Sequence, residues 1–506
     1  MIVLVNPRAT RPANRRFPLS LMSIGAALPP EETWTIIDGN RPDVDPLAQI
    51  AALIQARAHT ADPVRAVAMT VMPGPQLASA VPLARQLRSR HPEVPIVWGG
   101  NFPSLYPKPV LKAPYVDWVI RGQGEHTFVA LVDLLENGGD PKAVLGLAFL
   151  DDGEPWIGRE RPWVGPDELP PPPYDRIDVA DYLRPSFLGD RSGVYQASIG
   201  CPYSCKFCGV ISVFGSRERV ESPERTERNL AYLTRKFGMN GLHFYDNNFF
   251  LGEDRAVELA ERIRPLGLSW WCEARIDAML RYSDRTWRSL VRSGLRMVFF
   301  GAESGSDEVL AKMSKRLTTA EIVEIARRTR QHGIVPEFSF VLGDPDEPER
   351  EIENTLGFIR HLKDVNPVCE IITYFYTPTP QRGGTYGDVD PLSDTPESLD
   401  DWTTPEWMGW MTHEDPQVPW LTPELKERVA GFKLVLESRF PSAQDRRTRR
   451  WGKRLASVLA RRRWRDERYE DPRLLRTVRR LARIPAGDPQ AYGHLRSPTA
   501  QASPVA

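Results

Sequence analysis

The sequence predicts an α/β protein: an N-terminal doubly wound, Rossmann-like parallel sheet, then a partial (β/α)6 TIM-like barrel, then a helical C-terminal extension. Two stretches in which short apolar runs alternate with amphipathic helical patterns indicate this fold class. Four consecutive prolines, Pro170–Pro173, lie between the two stretches. Such a run excludes a helix or a central strand, so it marks a stiff connection between two domains.

Five apolar runs in the first stretch predict five strands of a parallel sheet. They are Ile2–Val5, Thr35–Ile37, Ala66–Thr70, Pro95–Trp98 and Trp118–Ile120. Parallel sheets bind ligands at the carboxyl ends of their strands, and glycine there lets a ligand approach the backbone. These ends carry polar or glycine-rich segments, namely Asn6-Pro7, Asp38-Gly39-Asn40, Thr70–Gly74 and Gly99-Gly100-Asn101.

Six further apolar runs in the second stretch predict a curved, partly open barrel. The predicted strands are Val194–Ser198, Gly241–Tyr245, Trp270–Glu273, Met297–Gly301, Glu337–Leu342 and Glu370–Tyr374. From these patterns we predict five segments along the chain: a Rossmann-like domain over 1–145, a proline-rich linker over 146–190, the barrel over 191–395, a helical arginine-rich region over 396–485 and a disordered tail over 486–506.

Composition narrows the functional class. The formal net charge is +0, so no overall field attracts nucleic acid or a membrane, and we do not expect nucleic acid as a partner. The N-terminus lacks the pattern of a signal peptide, and no apolar run reaches the roughly 18 residues that indicate a membrane span. We therefore predict a cytoplasmic protein with no transmembrane segment. The arginine-rich stretch 446–483 indicates either a solvated helical face that covers the barrel or a surface for RNA or anionic lipid.

Three of the five cysteines form the motif that carries most of the chemistry. Cys201, Cys205 and Cys208 have the spacing C-x3-C-x2-C directly after a predicted strand. Thiolates select soft metals and iron–sulfur clusters, and three of them cover three corners of a 4Fe–4S cube, which leaves one iron open. A closed zinc site is the alternative, but it needs a fourth ligand, and no histidine lies at the usual spacing.

This motif, with Phe207 just before its last cysteine, resembles that of the radical S-adenosylmethionine (SAM) superfamily. The resemblance implies that the open iron binds SAM and that electron transfer cleaves SAM to a 5′-deoxyadenosyl radical. It also implies a set of SAM-contacting residues at the strand ends, namely Phe207, Asp246, Asn247, Arg275, Glu303 and Arg316. The alternative roles are helix capping for Asp246, Asn247 and Glu303, and a structural ion pair for Arg275.

The N-terminal stretch resembles the cobalamin-binding domain of methylcobalamin-dependent, class B-type radical SAM methyltransferases, in the segments 18–28, 98–104 and 119–125. The resemblance implies a corrinoid between the carboxyl edge of the sheet and the barrel mouth. The residues it assigns to that contact are Asn6, Asp38, Gly39, Thr70, Gly99, Gly100, Asn101, Gly122, Gly124 and Glu125. The chain lacks the Asp-x-His-x-x-Gly loop that supplies a lower histidine ligand, so we expect a corrinoid without one. A domain that keeps the fold and lacks the cofactor is the alternative.

The resemblance therefore predicts cobalamin-dependent methylation of an unactivated carbon in a small-molecule, lipid or peptide substrate. An electron donor such as flavodoxin or ferredoxin is the expected partner. Two alternatives remain open: a radical rearrangement or cyclisation without methyl transfer, and a cluster-containing binding module whose basic C-terminus contacts RNA or lipid. The sequence assigns no general acid or base.

Overall fold

The computed structural model describes residues 1–379, 386, 395–442, 450–470 and 472–482. The described residues contain a seven-stranded sheet, a six-stranded sheet and a two-stranded ribbon. The predicted α/β class, with an N-terminal doubly wound sheet, a second parallel sheet and a helical C-terminal region, is confirmed.

The N-terminal sheet has the strand order β2-β1-β3-β4-β5-β6-β7. Its strands are β1 (Ile2–Asn6), β2 (Trp34–Asp38), β3 (Ala66–Thr70), β4 (Ile96–Gly99), β5 (Trp118–Ile120), β6 (Leu147–Asp151) and β7 (Glu154–Ile157). The five predicted strands are parallel and carry the order 2-1-3-4-5, in which the chain reverses direction across the sheet between β1 and β3. Ligands bind at such a reversal, next to the ends of β1 and β3.

The sheet continues beyond the predicted boundary at residue 145, because β6 and β7 add an antiparallel hairpin to β5. The start of the predicted 146–190 linker is therefore corrected. Asp152 and Gly153 both have positive φ, at 49° and 86°, in the two-residue turn of this hairpin. An Asp-Gly turn of this kind matches the twist of the flanking strands.

Six helices cover both faces of this sheet: α1 (Leu19–Ala27), α2 (Pro46–Arg57), α3 (Pro75–Arg90), α4 (Asn101–Leu105), α5 (Pro107–Lys112) and α6 (Glu125–Asn137). Ile50 and Leu77 of α2 and α3 belong to the apolar core on one face. Leu21 and Leu131 of α1 and α6 belong to the core on the other face. All five residues of β1 are buried between these two cores, which is the burial that a central strand of a doubly wound sheet requires.

The remainder of the linker packs at the junction of the two sheets. It contains a short helix, α7 (Val179–Tyr182). The Tyr182 hydroxyl donates to Oδ2 of Asp38 at 2.8 Å, and Arg15 of the N-terminal domain forms an ion pair with Asp181. Phe17 packs against Tyr182 with 5.7 Å between ring centroids. These contacts hold the linker against the N-terminal domain, and Phe17 and Tyr182 also belong to the apolar core of the barrel.

The second sheet has six parallel strands, in the order β15-β14-β13-β12-β11-β8, so β8 and β15 are its two edges. Its strands are β8 (Ser192–Tyr195), β11 (Gly241–Phe244), β12 (Ser269–Ala274), β13 (Leu295–Glu303), β14 (Val335–Leu342) and β15 (Glu370–Phe375). The two-stranded ribbon consists of β9 (Ser198–Cys201) and β10 (Arg217–Val220). This is the partly open barrel that the sequence predicted.

The helices between these strands are α8 (Gly209–Phe214), α9 (Pro223–Phe237), α10 (Glu253–Ile263), α11 (Ile276–Leu280), α12 (Asp284–Arg292), α13 (Asp307–Lys312), α14 (Thr319–His332) and α15 (Pro348–Val365). The Trp271 indole of β12 donates to Oε2 of Glu337 on β14 at 3.0 Å, across the intervening β13. Contacts of this kind between non-adjacent strands are favoured where a sheet curves around a common interior.

The C-terminal region contains α16 (Leu399–Trp402), α17 (Pro405–Thr412), α18 (Pro423–Arg439), α19 (Arg450–Arg465) and α20 (Arg473–Leu481). It divides between the two domains. Helices α16 and α17 join one core of the N-terminal domain, whereas α18 to α20 join the barrel core. Two of the aromatic side chains that interleave with the arginines, Trp464 and Tyr469, are buried against Phe432, and Trp451 is exposed. The predicted tail over 486–506 lies outside the described residues. Among the described helices, none is both long and apolar enough to cross a bilayer.

Candidate functional site

The three motif cysteines lie at the carboxyl end of the barrel strands. Cys201 ends β9, and Cys208 directly precedes α8. The loop between them is tied down at two points, since the Cys208 N–H donates to the Cys205 carbonyl at 3.2 Å and the Lys206 N–H donates to the Met313 carbonyl at 3.0 Å. The chain itself therefore determines the path of this loop.

A glycine makes the close approach of β9 and β10 possible. Gly200 has a φ of +82°, and a Cβ on it would lie 2.3 Å from the Arg217 carbonyl oxygen of β10. An L-residue would meet both backbone strain and a direct clash at this position. Gly200 is thus the residue that allows the strand leading to Cys201 to pair.

The thiols suit an iron–sulfur cluster by their chemistry. All three are free, and Cys205 is buried while Cys201 and Cys208 are partly exposed. Although the residue Cys208 is partly exposed, its thiol is desolvated, which raises the pKa of the thiol to about 12. Metal ligation replaces the proton on such a thiol. Within the described residues, no three His, Cys, Asp or Glu side chains converge on a single ion. A cube takes one thiolate per iron, so its ligands need not converge on one point.

Asp246 lies behind the cysteine loop and supports it. Its side chain is fully buried, and both carboxylate oxygens accept from the Ala197 N–H, at 3.1 and 3.2 Å. Burial raises the pKa of this carboxyl to about 6. Asp246, which the sequence analysis assigned to SAM, holds the segment that enters β9. Asn247 beside it is half-buried.

The neighbouring Asn248 was missed by the sequence analysis. Its Oδ1 accepts from the Arg275 N–H at 3.2 Å. Its Nδ2 is buried and has no hydrogen-bond partner among the described residues. A buried donor without a partner costs about 1–3 kcal/mol, so this position fits an additional polar group from a bound cofactor. In the sequence, Asn248 is indicated only by its position in the same strand-end segment as Asp246 and Asn247.

Arg275 lies against the cysteine loop. Its Nη1 donates to the Cys205 Sγ at 3.6 Å, and its Nη2 donates to the Lys315 carbonyl at 2.6 Å. Its Nε donates to Oδ1 of Asp277 at 2.8 Å. The structure thus places this predicted SAM residue against a motif cysteine, and it adds Asp277 as its carboxylate partner.

Glu303 and Phe207 come together with a basic residue that the sequence analysis missed. Glu303 is buried and accepts from the Lys315 ammonium at 2.7 Å. The same ammonium lies 5.7 Å from the centroid of the Phe207 ring. Arg316, the basic residue assigned to SAM, is exposed, and Lys315 takes the buried position. A carboxylate, an ammonium and an aromatic ring can contact the ribose, the carboxylate and the adenine of SAM.

The residues assigned to cobalamin fall into two groups at the carboxyl edge of the N-terminal sheet. Four are buried within the domain: Asn6, Asp38, Gly39 and Glu125. In this group Asp38 accepts from Asn6 Nδ2 at 3.0 Å, and Glu125 accepts from the Ser23 hydroxyl at 2.6 Å. These four residues form the buried inner part of the carboxyl edge. Six are partly exposed along it: Thr70, Gly99, Gly100, Asn101, Gly122 and Gly124.

The exposed part of this edge has open space beside Gly122. Gly122 has a φ of +70°, and a Cβ on it would have no heavy atom within 4 Å. Met72, which the sequence analysis did not assign, follows β3 with 45% of its surface exposed and presents an apolar side chain at this edge. Its only signal in the sequence is an apolar residue within the strand-end segment Thr70–Gly74. This open, glycine-rich edge fits a corrinoid.

Two family models match the chain in the places where the two sheets lie. The radical SAM superfamily matches residues 195–359, and the B12 binding domain matches residues 11–132. An uncharacterised methyltransferase of Pyrococcus horikoshii is 30% identical over 349 residues, which are 68% of this chain and 73% of that protein.

Two further relatives extend the comparison. The anaerobic magnesium-protoporphyrin IX monomethyl ester cyclase of Synechocystis is 28% identical over 285 residues, which are 55% of this chain and 54% of the cyclase. The solved structure of the radical S-adenosylmethionine methyltransferase TsrM of Kitasatospora setae, determined with cobalamin and a 4Fe–4S cluster bound, has a TM-score of 0.62. It is 17% identical, and the match covers 95% of this chain and 99% of TsrM, which shows a shared fold.

The segments matched by the two family models contain the cysteine loop, the Glu303–Lys315 pair and most of the open sheet edge. The chain therefore belongs to the radical SAM superfamily, among the enzymes with a B12-binding domain, and its cofactors are a 4Fe–4S cluster, S-adenosylmethionine and cobalamin.

Proposed function

We propose that this enzyme transfers a methyl group from SAM to an unactivated carbon of a small-molecule, lipid or peptide substrate. One observation carries the proposal: Arg16, in the segment that follows β1, donates through its Nε to the Tyr245 hydroxyl at the end of β11, at 3.2 Å. The carboxyl edges of the two sheets therefore face each other. A methyl group carried on one side has a short path to a substrate radical formed on the other.

The chain's own residues supply binding, orientation and exclusion of water. Cys201, Cys205 and Cys208 would hold the cluster, and Glu303 with Lys315 would hold SAM. When bound, the cluster supplies the electron that cleaves SAM, and cobalamin carries the methyl group. The linker packs at the junction of the two sheets, where exclusion of water would protect reactive species.

We further propose that a low-potential donor such as flavodoxin or ferredoxin delivers the electron. Five free cysteines suit the reducing cytoplasm, where thiols stay unpaired. The methyltransferase relative supports methyl transfer, and the relative named as a cyclase makes a radical cyclisation the outcome to test against.

Methyl-labelled SAM distinguishes these reactions before the substrate is known. The full chain is reconstituted anaerobically with iron, sulfide and hydroxocobalamin, then incubated with labelled SAM and a reductant. We expect label in the corrinoid fraction together with 5′-deoxyadenosine. The Cys201→Ala/Cys205→Ala/Cys208→Ala variant should still bind the corrinoid, but it should yield neither labelled corrinoid nor 5′-deoxyadenosine. Reductive SAM cleavage with no label in the corrinoid would contradict methyl transfer and favour rearrangement or cyclisation.

A further inference from the structure

The guanidinium of Arg275 has a fixed orientation next to a cluster ligand. The side chain is buried, with 6% of its surface exposed. Asp277 binds its Nε at 2.8 Å, and the Lys315 carbonyl binds its Nη2 at 2.6 Å. These two contacts leave Nη1 directed at the Sγ of Cys205, 3.6 Å away.

An aromatic face completes this arrangement. The Arg275 guanidinium carbon lies 3.8 Å from the centroid of the Tyr203 ring, a residue of the cysteine loop itself. A planar guanidinium stacks on a ring and presents N–H groups at its edge, whereas an ammonium is a point charge. The geometry therefore requires the planar guanidinium of arginine, with its several N–H donors, and not only a positive charge.

We propose that Arg275 is a positioning residue of the cluster, and that its hydrogen bond to the Cys205 sulfur raises the reduction potential of the cluster. Hydrogen bonds to the sulfurs and nearby charge are among the determinants of iron–sulfur potentials. The reduced cluster carries one more negative charge than the oxidised cluster, so a fixed cation beside it stabilises the reduced form more. In the step itself one electron enters the cluster from the reductant, no bond is made or broken, and arginine keeps its proton.

This role differs from the contact with SAM that the sequence predicts for Arg275. It rests on the cluster and not on methyl transfer, so it is measured without SAM, cobalamin or substrate. A residue that acts only on SAM leaves the potential of the SAM-free cluster unchanged. A purely structural ion pair with Asp277 also leaves the potential unchanged in every variant that keeps a full cluster.

The test is a redox titration, followed by electron paramagnetic resonance, of the anaerobically reconstituted full chain. We expect Arg275→Gln to retain the iron and sulfide content of the wild type and to shift the midpoint to a more negative potential. The expected change is at least tenfold in the ratio of reduced to oxidised cluster at a fixed potential, which corresponds to roughly 60 mV for one electron. A wild-type midpoint in Arg275→Gln with a full cluster overturns the proposal.

Arg328 provides the matched control. It donates to the Leu280 and Tyr282 carbonyls at 2.9 and 2.7 Å and to Asp284 at 2.9 Å, and it lies over the Trp287 ring at 5.0 Å. The Arg328→Gln variant loses the same kinds of contact without touching a motif cysteine, and its midpoint should equal that of the wild type. An equal shift in both variants overturns the proposal.

If Arg275→Gln does not retain the cluster, the Arg275→Lys variant provides the test. Lysine preserves the positive charge and most of the volume, so the loop keeps its packing, but it cannot bind Asp277, Lys315 and Cys205 together. We expect a shift in the same direction and of smaller size. An unshifted midpoint in Arg275→Lys with full iron content overturns the proposal.

Discussion

At the residue scale, we propose that the buried ion pair between Lys315 and Glu303 is a contact on which SAM binding depends. Both side chains are almost fully buried, at 8% and 7% exposure, so the charges are only weakly screened by solvent. Glu303 itself has a φ of +68°, a conformation that is uncommon for a residue other than glycine. The surrounding packing therefore holds this carboxylate and its ammonium partner in one arrangement.

Replacing Lys315 by methionine should weaken SAM binding, whereas Arg316→Gln should not. Lys315 lies beside Phe207 and Glu303, while Arg316 is exposed, so only the first substitution removes a charge from the site. Loss of one charge-assisted hydrogen bond corresponds to about 1.5–3 kcal/mol, or roughly 10- to 100-fold in the dissociation constant. Equilibrium binding of SAM to the two cluster-loaded variants measures the difference. Equal weakening in both would show that the exposed arginine also contacts SAM.

This pair also shows where sequence reasoning ends at single residues. The sequence analysis selected Arg316, which follows Lys315 directly, but which of these two basic side chains points inward depends on the backbone. Ser314 and Arg316 both have a φ of +53°, on either side of Lys315. Positive φ at residues other than glycine has no sequence signature, because tertiary packing imposes it. The cysteine motif can be recognised from residue type and spacing alone, whereas the side-chain orientation of Lys315 and Arg316 cannot.

At the scale of elements, the parallel strands were predictable and the antiparallel ones were not. Strands β1, β3 and β14 are buried over almost their whole length and appear in the sequence as apolar runs. Strands β7 and β10 are short, and most of their residues are exposed or half-exposed, so they lack such a run. The ribbon of β9 and β10 that presents Cys201 therefore appeared only in the structure.

Gly200→Ala should disrupt this ribbon and with it the cluster. The added Cβ would lie 2.3 Å from the Arg217 carbonyl and 3.0 Å from the Trp163 ring, on a backbone with φ of +82°. Strain of this kind costs about 1–3 kcal/mol, and the clash adds to it. We expect a lower melting temperature and reduced iron content after reconstitution.

Gly209 in the same loop is the matched control for that substitution. It follows Cys208 at the start of α8, and a Cβ on it would have no heavy atom within 4 Å. Alanine also has the higher helix propensity, so Gly209→Ala should keep the iron content and melting temperature of the wild type. Equal iron content in both variants would contradict the steric argument for Gly200.

At the scale of the whole molecule, the C-terminal region connects the two sheets. Helices α16 and α17 lie on the N-terminal domain, although the barrel separates them from it in sequence. Trp402 packs against Phe102 and Tyr106, with ring centroids 5.1 and 4.5 Å apart. The Gly74 N–H, in the loop after β3, donates to the Met411 sulfur at 3.3 Å. After completing the barrel, the chain thus returns to the sheet edge proposed for cobalamin, which no local pattern in the sequence reveals.

Trp402→Ala should therefore affect the cobalamin side of the molecule, while the cluster side stays intact. Trp402 is fully buried, and truncation of a buried tryptophan costs about 3–5 kcal/mol. Without this side chain, α17 and the loop that carries Gly74 lose their packing, so corrinoid retention on gel filtration should fall. Iron content should stay at the wild-type level because the cysteine loop lies in the other domain. Trp451, which is 53% exposed on α19, serves as the matched tryptophan, and Trp451→Ala should change neither quantity. A parallel loss of iron in Trp402→Ala would show that the two domains unfold as one unit, and the coupling through α16 and α17 would then extend to the barrel.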